Sequence, residues 1–124
     1  MSFIAACVQS TATTDVHADI RTLTDFIREA ACRGARLVAT PEYCAGLDTR
    51  DGKMFPVAFA EGEHPVLPAM TGLAKALRLW LLVGSVGVKA PDRKILNRSF
   101  MISPAGEIAA RYDKNHLFDI DLGE

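Results

Sequence analysis

The fold of this chain is decided by one stretch of nine residues, Gly34-Ala35-Arg36-Leu37-Val38-Ala39-Thr40-Pro41-Glu42. Residues 36–40 form an apolar run that predicts a buried strand, which Pro41 ends. Upstream, apolar residues recur every three or four positions from Val16 to Ala30, which predicts an amphipathic helix that Gly34 ends. A short apolar run over residues 3–9 precedes this helix and predicts another strand. The chain therefore opens with a strand–helix–strand unit, which favours a parallel pair and a right-handed crossover.

The rest of the chain predicts a second helix and three more strands. These remaining elements are a loop with a short helical piece over 44–64, a helix beginning at Pro65 to Pro68, and strands over 79–89, 95–102 and 107–112. The last two strands flank a good hairpin turn, Ser103-Pro104-Ala105-Gly106, and favour an antiparallel extension. The predicted order is β-α-β-α-β-β-β in an α/β layered fold, with the first three strands buried on both faces.

Size and composition describe one ordinary globular domain. A length of 124 residues is enough for one domain and too short for two. A net charge of -1 argues against nucleic acid or an anionic membrane as the main partner, since both need a basic face. No apolar stretch approaches the roughly 20 residues of a spanning helix, and the N-terminus lacks a basic leader. The three cysteines are an odd, irregularly spaced set, which favours a reducing cytoplasm.

Two charged residues follow predicted strands at their carboxyl ends, where ligands bind in open α/β sheets. Glu42 comes directly after the second strand, and we expect partial desolvation to raise its pKa toward a useful value for a general base. Lys114 closes the fifth strand, where an ammonium could stabilise a developing oxyanion. By position alone a solvated surface glutamate and a basic rim are the commoner explanations, so neither residue is evidence by itself.

Their combination with flanking segments resembles the carbon–nitrogen hydrolase (nitrilase) superfamily. The stretches that carry the resemblance are residues 34–43, Asn97-Arg98-Ser99, residues 104–107, residues 110–114 and residues 116–121. The last of these is similar to the amidase branch, which includes ω-amidase-like and related Nit proteins. Asn115 departs from the pattern, because the family usually has an apolar residue there.

The resemblance implies a fold, a reaction and a set of roles. Residues 1–124 would be the N-terminal portion of a nitrilase-type αββα sandwich, a partial domain. Glu42 would be the general base and Lys114 the oxyanion stabiliser, acting on a small amide substrate. From the residues themselves, Tyr43 could line a substrate pocket or simply pack, and His116 could bind substrate, orient Lys114 or be structural. The family's nucleophile is a cysteine downstream of the lysine, in a segment that residues 1–124 do not include. No metal or organic cofactor is implied, and family members commonly form homo-oligomers.

Other residues offer weaker candidates. Cys44 lies two positions from Glu42, where extended chain would let the two side chains meet, but a loop cysteine without a special role is the better interpretation. Cys7 and Cys32 are predicted to be buried or semi-buried small hydrophobes. An acidic tail at Asp119, Asp121 and Glu124 fits a solvated segment better than a cation site.

Three hypotheses follow. The chain is the N-terminal part of an amidase and is inactive alone; or it is a non-catalytic binding or interaction module; or it is a truncated gene product. For a truncated product, less than half of a sandwich would expose an apolar sheet face and an unpaired edge, so we expect the isolated chain to self-associate or to have low solubility.

Overall fold

The computed structural model describes residues 1–92 and 94–116, and within them it contains two α-helices and eight strands. The elements in chain order are β1 (Ile4–Cys7), α1 (Val16–Cys32), β2 (Ala35–Ala39), β3 (Leu47–Arg50), β4 (Lys53–Pro56), β5 (Ala58–Phe59), α2 (Val66–Leu77), β6 (Trp80–Lys89), β7 (Ile95–Ile102) and β8 (Ile108–Asp113). A 3₁₀ turn, Glu61–Glu63, lies between β5 and α2. All seven predicted elements are present, in the predicted order.

One mixed sheet organises the molecule, with strand order β1-β2-β6-β7-β8. β1, β2 and β6 are parallel, whereas β6 with β7 and β7 with β8 are antiparallel. The short strand β5 pairs with the far end of β6, beyond the point where β2 stops. The predicted parallel start and antiparallel extension are therefore confirmed, and the fold is α/β.

Both helices cover the same face of this sheet. Asp15 caps α1 by accepting a 2.9 Å hydrogen bond from the Ala18 N–H, and Gly34 leaves the helix at φ 88°. The buried core shared by helices and sheet includes Leu23, Ile27, Val38, Met70, Leu73, Leu81, Val83, Phe100 and Ile102. Neither helix in the described part of the chain is long and apolar enough to cross a membrane.

Within residues 1–92 and 94–116, no helix covers the opposite face of the sheet. Leu37 pairs with Trp80, and with Met101 and the N-terminal residues they line an apolar depression of about 550 Å³. Trp80 is 42% exposed, although its neighbour Leu81 is fully buried under the helices. The prediction that the first three strands are buried on both faces is wrong, because helices pack on one side only and β1 is an edge strand. The expected apolar sheet face is confirmed.

Residues 44–64 hold more structure than predicted. β3 and β4 form a two-stranded hairpin whose turn residues Asp51 and Gly52 have φ of 50° and 72°. Two consecutive positive φ angles are the hairpin geometry that Asp-Gly favours, so the signal was present in the sequence. The predicted helical piece is the 3₁₀ turn Glu61–Glu63.

Candidate active site

The topology brings three polar residues to the same end of the sheet, where β2 and β8 finish. β2 and β8 run in the same direction, so Glu42 and Lys114, which follow them, lie at the same end. β7 runs the opposite way, so Asn97, near its start, lies at that end too. We expected the two candidate catalytic residues at this end of the sheet.

Glu42 is positioned by a close approach of its strand end to β6. A Cβ placed on Gly84 would lie 2.0 Å from the Thr40 carbonyl oxygen and 2.4 Å from that of Pro41. The Gly84 N–H also donates to the Thr40 hydroxyl at 3.0 Å. The segment leading to Glu42 therefore lies directly against Gly84, where β6 has a bulge between Val83 and Val86. In the sequence, the glycines of Gly84-Ser85-Val86-Gly87 lie within a strand pattern and predict a bulge or a close backbone approach, and this prediction is confirmed.

The same bulge fixes the turn after Glu42. Buried Ser85 accepts the Tyr43 N–H on its hydroxyl at 2.8 Å and the Cys44 N–H on its carbonyl at 3.0 Å. Tyr43 has a φ of 44°, so the chain turns here instead of staying extended. Because the chain turns, the extended i and i+2 geometry that would align Cys44 with Glu42 does not occur.

The Glu42 carboxylate collects two donors on one oxygen. Lys114 Nζ lies 2.8 Å and Asn97 Nδ2 lies 2.7 Å from Glu42 Oε1. Asn97 is only 4% exposed, and its carbonyl accepts the Lys114 backbone N–H at 2.9 Å. Residues 72 positions apart are thus joined directly, and Asn97 contacts both.

The electrostatics of this contact differ from the expectation. The Lys114 ammonium lowers the pKa of Glu42, burial opposes this, and the Asn97 amide lowers the pKa further. Conversely, the Glu42 carboxylate raises the pKa of Lys114. The prediction of a raised Glu42 pKa is wrong, because two donors stabilise the carboxylate and its side chain remains 53% exposed. Glu42 is therefore held as an anion beside a cation.

An ion-pair cluster supports the strand that delivers Lys114. Arg98 of β7 binds Asp113 of β8 through two bonds, Nε to Oδ1 at 2.6 Å and Nη2 to Oδ2 at 2.9 Å. Glu61 accepts from Arg111 at 2.7 Å and from Arg98 at 3.4 Å. Since Asp113 immediately precedes Lys114, this fork restrains the backbone from which the ammonium extends.

Tyr43 and His116 differ in their exposure and in their contacts with the Glu42–Lys114 pair. Tyr43 is half-buried; burial raises its pKa, and the nearby Glu42 charge adds to the rise. His116 is exposed and, within residues 1–92 and 94–116, makes no hydrogen bond with Glu42 or Lys114. Tyr43 therefore lies close enough to the candidate pair to sense the Glu42 charge, whereas His116, within the described part of the chain, is not hydrogen-bonded to it.

The cysteines are placed differently from the prediction. Cys7 and Cys32 are exposed, which corrects their predicted burial, since β1 is an edge strand and Cys32 ends the first helix on its outer side. Cys44 is 2% exposed, and burial raises the pKa of its thiol to about 11. A nucleophilic thiol needs a lowered pKa, so Cys44 is poorly suited to that role.

The structure describes no candidate metal centre. No group of three metal-ligating side chains occurs among the residues that are described. The acidic residues Asp119, Asp121 and Glu124 lie outside the described residues.

Asn97 and Ser85 are the site residues that sequence reasoning did not single out for roles. A signal existed for Asn97, because it is an amide between the apolar pairs Ile95-Leu96 and Phe100-Met101 of a strand. A buried amide in such a position needs a hydrogen-bond partner, and here the partner is Glu42. No comparable signal identified Ser85, whose contacts depend on the bulge.

The sequence and the fold are similar to those of known proteins. A family model for carbon–nitrogen hydrolases matches residues 4–124. The chain belongs to the carbon–nitrogen hydrolase family. It is 34% identical over 97 residues to omega-amidase NIT2 of Homo sapiens, covering 78% of this chain and 34% of the relative. It is 29% identical over 126 residues to the deaminated glutathione amidase of Homo sapiens, covering 98% and 38%. These relatives assign it to the Nit branch of the nitrilase superfamily.

A solved structure with the same fold is a mutant of the amidase from Nesterenkonia sp. AN1, described as showing covalent addition of the acetamide moiety of fluoroacetamide at the active site cysteine. The match has a TM-score of 0.74 at 21% identity and covers 93% of this chain and 44% of that one. The chain therefore spans between a third and a half of the length of these relatives.

Proposed function

We propose that this chain supplies two of the three catalytic groups of an amidase that hydrolyses a small amide. Glu42 is the general base, Lys114 is the oxyanion stabiliser, and the nucleophilic cysteine comes from a segment outside residues 1–124. The observation that carries the proposal is the 2.8 Å contact of Lys114 Nζ with Glu42 Oε1 across 72 positions of sequence. Membership of the carbon–nitrogen hydrolase family supports the reaction class.

The chemistry follows from the two side chains. Glu42, held as a carboxylate, takes the proton of the cysteine thiol, and the sulfur forms a bond to the amide carbon. The carbonyl electron pair moves to oxygen, where Lys114 offers the N–H donors that Glu42 does not occupy. The carbon–nitrogen bond then breaks as the nitrogen takes the proton from Glu42, leaving a thioester and releasing ammonia or an amine. Water, deprotonated by Glu42, hydrolyses the thioester to the acid and restores the thiol.

The comparisons support the nucleophile and the substrate class. The Nesterenkonia amidase carries its covalent adduct on an active site cysteine, and the two human relatives are named as amidases. Within this chain Cys44 is poorly suited to be the nucleophile, because it is buried and burial raises the pKa of its thiol to about 11. We infer a reducing cytoplasmic location, which the free thiols of the three cysteines support.

The first test is the coding DNA beyond codon 124. We expect an open frame, or one restored by a single frameshift, that encodes a cysteine on a strand-to-helix elbow. The encoded product should release ammonia from short ω-amides, whereas residues 1–124 alone should not. A well-supported stop codon with no such downstream segment would overturn the enzymatic proposal.

Substitutions in the longer product test the two roles. We expect Glu42→Gln to lower kcat roughly 100- to 10,000-fold, and Lys114→Ala roughly 100- to 1,000-fold. Glu29→Gln and Lys94→Ala are matched controls, since both side chains form exposed ion pairs elsewhere and should leave ammonia release unchanged. Full activity of either site variant would refute the role assigned to that residue.

The uncovered sheet face favours a second candidate, a non-catalytic interaction module. Phe3, Trp80 and Tyr112 are 66%, 42% and 58% exposed, and contiguous apolar surface on a small protein promotes association. We expect the isolated chain to self-associate, with Trp80→Lys shifting it toward monomer. A sharp monomer of the unmodified chain in sedimentation velocity would contradict self-association, and a failure to copurify with a full-length homologue would remove the main support for this candidate.

A further inference from the structure

Both donors to Glu42 contact the same oxygen, and this asymmetry has a chemical consequence. Asn97 Nδ2 and Lys114 Nζ bond to Oε1, and among the described residues no hydrogen bond reaches Oε2. A carboxylate oxygen that already accepts two strong donors is the weaker proton acceptor of the two. The free oxygen is therefore the more basic one.

Asn97 is built to hold this arrangement. It is 4% exposed, so its amide is fixed by the sheet around it, and its orientation is defined because a carboxylate can only accept. The main-chain carbonyl of Asn97 accepts the backbone N–H of Lys114 at 2.9 Å. Asn97 therefore holds both the backbone of Lys114 and the side chain of Glu42. Asn97 itself carries no ionisable group.

We propose that Asn97 is a positioning residue that, with Lys114, holds Glu42 by Oε1 so that Oε2 stays free to take the proton of the nucleophile. This rests on the proposed role of Glu42 as general base. Without the Asn97 amide, Lys114 remains the only donor of the two, and the carboxylate is free to rotate and present either oxygen. Asn97 thus acts through Glu42, which its side-chain amide contacts directly.

The test is the titration of Glu42 in residues 1–124, followed by NMR of its side-chain carboxyl carbon. We expect Asn97→Leu to raise the pKa of Glu42 by removing a donor to the charged form. Asn97→Asp should raise it further, because a second carboxylate at 2.7 Å from Oε1 repels the first. Ile102→Val is the control: it is buried on the same strand, loses one methyl group and lies at the opposite end of β7 from Asn97.

The outcomes separate positioning from a structural role. An order of Asn97→Asp above Asn97→Leu above wild type, with Ile102→Val unchanged, supports the proposal. A Glu42 pKa that is the same in all four proteins, or that changes equally in Asn97→Leu and Ile102→Val, overturns it. This titration needs no catalysis, so its failure is distinct from a failure of the ammonia-release assay that tests the proposed function.

Discussion

Replacing Gly84 with alanine tests how the position of Glu42 is set. The added Cβ would lie 2.0 Å from the Thr40 carbonyl oxygen and 2.4 Å from the Pro41 carbonyl oxygen, and both atoms are backbone. Ordinary contact begins at 3.4 Å, so the strand end that leads to Glu42 must move by more than an ångström. Gly84 is not among the glycines with positive φ, so the cost is steric and not conformational.

We expect the Gly84→Ala variant to lose about 2–4 kcal/mol of unfolding free energy. Overpacking accounts for roughly 1–3 kcal/mol of this loss. Disruption of the hydrogen bond from the Gly84 N–H to the Thr40 hydroxyl accounts for about 1 kcal/mol more. The assay is urea unfolding at several protein concentrations, which exposes any contribution of association. Gly72→Ala is the matched control: it lies inside α2 with nothing within 4 Å of its added Cβ, and should gain about 0.5–1 kcal/mol. A Gly84→Ala variant as stable as wild type would refute this account of the strand end.

Two further predictions concern charge and thiol access. Because the folded-state pKa of Glu42 is lowered, its pairing with Lys114 stabilises the fold above the unfolded-state pKa of Glu42 and stops doing so as pH falls through the folded value. Urea midpoints of wild type and Lys114→Met should therefore converge as the pH falls from neutral through the folded-state pKa of Glu42, and a constant gap would contradict the pairing. With a maleimide at pH 7 we expect Cys7 and Cys32 to react quickly and Cys44 to react only on unfolding, since only Cys44 is buried; equal rates for all three would show that Cys44 is accessible.

Sequence patterns predicted the elements well because those elements depend on local rules. The three- and four-residue spacing from Val16 to Ala30 corresponds to the face of α1 that packs on the sheet, and Gly34 ends the helix. Burial was predicted less well, since an apolar strand such as β1 looks the same whether one face or two are covered. The β3–β4 hairpin was missed because residues 44–64 are polar and rich in turn formers. That composition favoured a loop over the hairpin that Asp51-Gly52 alone would indicate.

The location of the candidate pair was predictable, but its environment was not. Both residues follow strands at one sheet edge, which strand direction alone indicates. The sign of the Glu42 pKa shift depended on Asn97 and Lys114 reaching one carboxylate oxygen, and those contacts join residues 55 and 72 positions away. No local sequence pattern predicts contacts between residues so far apart. Partial desolvation was therefore the only effect on the Glu42 pKa that the sequence indicated.

Sheet order explains why the approach at Gly84 matters for the site. β2 and β8 are separated by β6 and β7, and neighbouring strands lie about 4.8 Å apart, so their ends are roughly 14 Å from each other. A glutamate held directly above β2 would face β6 and leave the lysine beyond reach. The contact of Pro41 with Gly84 carries the chain against β6, and the Glu42 carboxylate then meets Asn97 on β7 and Lys114 at the end of β8. A change at Gly84 should therefore weaken the Glu42–Lys114 contact and raise the pKa of Glu42, although Gly84 touches neither charged group.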